Sequence, residues 1–167
     1  MRFSSLIIAG CVFGLGLGGA AGAESETISP DVLSVLEGEG WVGTLTYRNY
    51  EAPYDEEVIP VELSEVERVE DGILFGMKYP GEAEANSSEA LFVSEDGTEL
   101  GGATIQLQTE MGNSLVIITR DSCEDDFRPA TCERIYRIGS NAFSMAKEVI
   151  LEDGSERFVR NRYDFKR

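Results

Sequence analysis

The sequence predicts an all-β protein: an antiparallel up-and-down barrel of about eight or nine strands, led by one short helix. Three observations predict it. Nine apolar-alternating runs follow one another between Trp41 and Phe165, a period-two pattern that suits half-buried strands. Most are separated by short links carrying Asp-Gly or Gly-Asn, which are hairpin signals. No second helical pattern lies between the runs, which excludes a parallel α/β sheet. The short links also favour a barrel over a Greek-key sandwich, whose crossovers are longer. An immunoglobulin order of Cys, Trp and Cys is absent, because Trp41 precedes both later cysteines.

The elements follow in order. Arg2, the apolar run Leu6–Gly19 and the small residues Ala20-Ala21-Gly22-Ala23 before Glu24 form a secretory signal peptide, residues 1–23. Its glycines, and a length below the roughly 18–20 residues a span needs, argue against a retained membrane helix. Ile8-Ala9-Gly10-Cys11 also fits a lipoprotein signal, and an acylated Cys11 would then tether the product to a membrane. Cleavage after Ala23 leaves one domain, 24–167, of 144 residues with 13 basic against 31 acidic side chains. The expected location is the periplasm or the medium. Two cysteines remain, and in an oxidising compartment a Cys123–Cys132 disulfide is the default. Closing that ten-residue segment would stabilise by about 2–3 kcal/mol.

Ser29-Pro30-Asp31-Val32-Leu33-Ser34-Val35-Leu36-Glu37-Gly38 reads as the short helix. Ser29 caps it, Pro30 suits its first turn, Asp31 its positive end, and Gly38 stops it. Val32, Leu33, Val35 and Leu36 form its apolar face, which must dock to be stable. The strand runs are Trp41–Tyr50, Val58–Val69, Ile73–Tyr79, Ala90–Ser94 and Thr98–Thr109. Ser114–Arg120, Cys132–Ile138, Ala142–Leu151 and Arg157–Phe165 complete them. Glu70-Asp71-Gly72, Glu95-Asp96-Gly97, Met111-Gly112-Asn113, Gly139-Ser140-Asn141 and Glu152-Asp153-Gly154 are the turns.

The composition removes most chemistry. The chain of 167 residues holds no histidine, so it has no Ser-His-Asp or Cys-His pair and no histidine-ligated metal or haem. A net charge of −17 leaves nothing to displace counterions from phosphates, so nucleic acid is not a partner. No phosphate-binding glycine loop follows a strand. Asp121, Glu124, Asp125 and Asp126 fail the calcium-loop spacing, and neither metal nor cofactor is expected. Catalysis has little support, since 31 acids guarantee close carboxylate pairs by number alone. Asn86-Ser87-Ser88 formally matches a glycosylation acceptor, relevant only in a eukaryotic secretory pathway.

A short helix leading into Gly38-Glu39-Gly40-Trp41-Val42-Gly43-Thr44-Leu45-Thr46-Tyr47, a meander of strands, and a last strand Phe158-Val159-Arg160-Asn161-Arg162-Tyr163 resemble the lipocalin or calycin barrels. The resemblance implies that Trp41 closes the barrel floor and that an arginine from a late strand, Arg160 or Arg162, packs over it. It also implies non-covalent carriage of a small hydrophobic molecule.

Alternate barrel residues face inward. Ile73, Phe75, Met77 and Tyr79 make one row. Phe143, Met145 and Val149 make another, with Lys147 in register. Val159, Tyr163 and Phe165 share a face with Asn161, and Trp41, Leu45 and Tyr47 with Gly43 and Asn49. The expected ligand-binding set is therefore Phe75, Met77, Tyr79, Phe143, Met145, Lys147, Asn161 and Tyr163, with Lys147 pairing a carboxylate. The same rows also suit a filled interior with the Lys147 amine at the rim in water.

Charge is uneven. Residues 24–99 carry 20 acids and 3 bases, and residues 100–167 carry 11 and 10. Glu51, Asp55, Glu56 and Glu57, then Glu62, Glu65, Glu67, Glu70 and Asp71, make an acidic stretch. The alternative function is accordingly an acidic barrel that binds a cationic protein, such as an inhibitor of lysozyme. The bland reading is a solubilising surface.

Overall fold

The computed structural model describes residues 26–51 and 53–167. The expected signal peptide, 1–23, and Cys11 lie outside the described residues. The expected up-and-down architecture is present as ten antiparallel strands forming one nearly closed barrel. They are β1 (Val42–Arg48), β2 (Glu56–Val69), β3 (Gly72–Lys78), β4 (Ser87–Phe92), β5 (Glu99–Leu100), β6 (Ala103–Met111), β7 (Ser114–Asp125), β8 (Arg128–Ile138), β9 (Ala142–Leu151) and β10 (Arg157–Lys166). The sheet order is β4-β3-β2-β1-β10-β9-β8-β7-β6-β5. Sequence neighbours pair along the meander except β4 and β5, the two edges of the sheet, and β1 meets β10 to bring the two ends of the meander together.

The tenth strand arises at a glycine pair. The run expected from Thr98 to Thr109 breaks at Gly101 and Gly102, whose φ angles of +60° and +76° only glycine adopts cheaply. The short β5 turns back there into β6 and bridges to the end of β4 through Val93 and Leu100. This leaves a window in the wall. Above the glycine pair, β4 pairs only with β3. Beyond Arg120, β7 pairs only with β8.

The helix forms as a 3₁₀ helix, Pro30–Leu36, with the Ser29 hydroxyl accepting from the Asp31 backbone N–H at 3.2 Å. Its tighter repeat stacks residues three apart. Leu33 and Leu36 are therefore the buried pair, while Val35, expected on the apolar face, is 40% exposed.

The helix covers the barrel floor. Trp41 is 1% exposed, and its indole N–H donates to the Leu36 carbonyl at 2.9 Å. Phe143 meets it edge-on at 6.5 Å, and Phe165 stacks on Phe143 at 6.0 Å. Each side chain buried this fully contributes about 1.5–3 kcal/mol.

The arginine over Trp41 is Arg167, its guanidinium 4.5 Å from the ring. It donates to the carbonyls of Glu37, Val35 and Ser140 at 2.8–2.9 Å, so it also caps the 3₁₀ helix. Arg160 and Arg162 do not take that place. Arg162 pairs with Asp164 on the outer surface. Arg160 sits at a bulge in β10, between Val159 and Asn161. The extra residue turns Arg160 into the far end of the barrel and leaves Val159, expected inside, 43% exposed.

That far end, the top, is closed by polar groups. Arg160 is 6% and Asp125 2% exposed. The guanidinium donates twice to the carboxylate, with Nε at 2.8 Å, and Nη1 reaches the Arg48 carbonyl at 2.9 Å. The Phe158 ring lies between the Arg160 and Arg48 guanidinia. Beneath them Cys123 and Cys132 are joined, Cα atoms 5.8 Å apart, packed with Ala130, Val149 and Leu151.

Candidate functional site

The interior is built in layers by strand register. Opposed residues Phe165, Phe143 and Ile138 form the floor layer across β10, β9 and β8. Two residues higher lie Tyr163, Met145 and Tyr136, and two higher again Asn161, Lys147 and Arg134. Side chains in one layer touch because their backbones are paired. The barrel interior therefore grades from aromatic to cationic on rising from floor to top.

Between the upper two layers and the opposite wall lies a cavity of about 320 Å³. Phe75 and Met77 of β3 supply its apolar side, and Lys147, Asn161 and Arg134 its polar side. Glu89 and Gly101 border it where the wall is incomplete. It thus lies against the window left by the two-residue β5. A hollow of about 680 Å³ beside Gly97 is larger. It is bounded by loop residues and by Glu70, Asp71, Glu95 and Asp96, and most of them are exposed.

The two cations in the cavity differ in their partners. Arg134 donates to Asp121 at 2.7 Å. Lys147 has no ion-pair partner among the described residues. Its neighbours across the strands are Arg134 and Asn161, so neither adjoining strand sets a carboxylate beside it, and the acid bordering the same cavity is Glu89. Tyr163 and Tyr79 approach each other hydroxyl to hydroxyl at 3.3 Å. Burial first, and then that hydrogen bond, push the Tyr163 phenol well above its ordinary value. Burial also raises Tyr136, partly offset by the charge of Arg134.

Six of the expected residues come together here: Phe75, Met77, Met145, Lys147, Asn161 and Tyr163 all line the cavity. Phe143 does not; it is 1% exposed and packed into the floor beside Trp41. Tyr79 lines a second cavity of about 370 Å³ with Leu45, Tyr47, Ile59 and Arg160. Arg134, Tyr136, Leu91 and Glu89 were not expected at the site. For Arg134 and Tyr136 the signal was present, since they alternate in phase with Cys132 and Ile138 along one run. Glu89 precedes the expected strand start at Ala90 and left no such trace.

Outside the barrel the two halves of the chain differ in charge balance. On β7 to β10, Glu133 is held between Arg120 and Arg157, and Arg157 also binds Glu148 at 2.7 Å. The acids of β2 have few such partners; Arg68 pairs with Asp31. Of the four acids that fail the calcium-loop spacing, Asp121 is committed to Arg134 and Asp125 to Arg160. No family model matches the chain, and neither a curated protein nor a solved structure matches it.

Proposed function

We propose that this protein is an exported, lipocalin-like binding barrel that holds a small amphipathic molecule with an acidic head group. The observation that carries the reading is Lys147, a cation without an ion-pair partner among the described residues, in a cavity lined opposite it by Phe75 and Met77 and below it by Met145. A carboxylate there would gain a charge-assisted hydrogen bond, and its apolar part would be covered by the β3 side chains. The volume, about 320 Å³, falls at the small end of the roughly 300–1,000 Å³ of ligand pockets. Export is supported by the character of residues 1–23 and by a disulfide that suits an oxidising compartment.

The test is native mass spectrometry of protein taken from its own host's envelope fraction, with the denatured spectrum beside it. A reproducible excess mass that vanishes on denaturation supports carriage. In parallel, decanoate and decanol are titrated into the wild type and Lys147→Met. The substitution should weaken decanoate about tenfold more than decanol. A bare polypeptide, together with no binding of either compound, overturns the reading.

The second reading is an acidic barrel that docks a cationic protein. It is favoured by one feature, the 20 acids against 3 bases of residues 24–99. Its mark would be binding to a basic protein such as lysozyme that weakens steeply with salt.

A further inference from the structure

We propose that Tyr79 is a movable partition between two chambers, and that the site holds a single-chain anionic amphiphile long enough to occupy both. This rests on the reading of the Lys147 cavity as a ligand site. The two cavities, about 320 and 370 Å³, share Asn161 as a common wall. Tyr163 lines the first and Tyr79 the second. What divides them beside Asn161 is the contact between the two phenol hydroxyls.

That contact is weak in its geometry. The oxygens are 3.3 Å apart, against the usual 2.7–2.8 Å of such hydrogen bonds. Neither hydroxyl has another hydrogen-bond partner among the described residues. Tyr79 lies just past the end of β3, held by its backbone N–H donating to the Asn86 side chain at 2.8 Å. Turning its ring aside would break no hydrogen bond among the described residues other than that contact, at the cost of its packing against the core.

The charges set the orientation. In the second chamber Arg160 is committed to Asp125 and Arg48 to Glu156. Lys147 in the first chamber lacks an ion-pair partner among the described residues. The head group thus belongs beside Lys147, near the window. The chain then runs past Asn161 toward Leu45 and Ile59, which face each other across β1 and β2. Each chamber alone is small for a ligand pocket, whereas the two joined reach the middle of the usual range.

The experiment is calorimetric titration of sodium octanoate and sodium tetradecanoate, below their micelle concentrations, into the wild type, Tyr79→Phe and Tyr79→Ala. Circular dichroism and thermal midpoints establish that each variant is folded. Removing the partition should raise the tetradecanoate-to-octanoate affinity ratio about tenfold in Tyr79→Ala. Tyr79→Phe, which keeps the ring and loses the hydroxyl, should fall between it and the wild type. It also serves as the test if the alanine variant does not fold. A ratio that stays level or falls overturns the partition while leaving the Lys147 site standing. If neither carboxylate binds the wild type, the ligand site itself is overturned.

Discussion

The two ends of the barrel are shut by different physics. At the floor, Leu33, Leu36, Trp41 and Phe143 are each at most 1% exposed. Arg167 lies over Trp41 there with its guanidinium on backbone carbonyls. At the top, the closing pair is a buried arginine and a buried aspartate, with a disulfide below them. Apolar burial is non-directional and degrades gradually when one group is lost. A buried ion pair is different: its desolvation cost is offset only while both partners stay in place. The floor should therefore tolerate single changes to its polar fittings, and the top should not.

The largest effect should come from Arg160→Ala. It leaves Asp125 charged, buried and unpaired, and should cost about 3–5 kcal/mol in urea unfolding. Replacing both partners together with Arg160→Met and Asp125→Leu should recover most of that loss. If the single variant unfolds like the wild type, the top is not held by this pair. Next comes the Cys123→Ala/Cys132→Ala double variant, with an expected loss of about 2–3 kcal/mol. At the floor, Arg167→Ala removes a cation over an aromatic ring and exposed hydrogen bonds, and should cost only about 1 kcal/mol. A cost equal to that of Arg160→Ala would erase the contrast between the ends.

The smallest effect concerns the layer between them and appears only in alkali. Tyr163 and Tyr136 both have phenols raised by burial in the folded state. A group raised on folding contributes stability that is complete below its unfolded value, near 10. That contribution is lost as pH rises further, because the unfolded chain gives up the proton first. The urea midpoint should therefore be flat from pH 7 to 9 and fall above about 10. Tyr163→Phe should flatten part of that fall.

How much of this was legible in the sequence depends on whether side-chain parity or backbone detail decided the outcome. Phe75, Met77, Met145, Lys147 and Tyr163 follow from simple alternation, and the register preserved it. The sequence reading failed where one residue altered the count. The β10 bulge brought Arg160 inside, and no local pattern marks it. The Gly101-Gly102 turn split one expected strand into two. The β7–β8 hairpin runs on to a turn at Asp126 and Phe127, both at positive φ. Asp126 suits such a turn, but Phe127 stands where a glycine normally announces it, so the sequence pattern shows both strands shorter than they are. The 3₁₀ repeat moved Val35 off the buried face because three residues per turn replaced the α-helical 3.6. Trp41 was expected at the floor, but its arginine lay beyond the run that was read as the last strand.

The pairing of β1 with β10 also governs the order in which the molecule can assemble. Every other ladder joins strands adjacent in the sequence, so each hairpin can form early at little cost in loop entropy. The β1–β10 ladder aligns Val42 with Lys166 and cannot begin until the two ends of the meander meet. The floor waits for the same event, since Trp41 needs Phe143 and Arg167 around it. In refolding, fluorescence of the single tryptophan should lag behind the far-ultraviolet signal of strand formation. Coincident traces would mean that the ends find each other before the hairpins are made. In that order the barrel forms first as a ribbon and encloses an interior only when its ends meet.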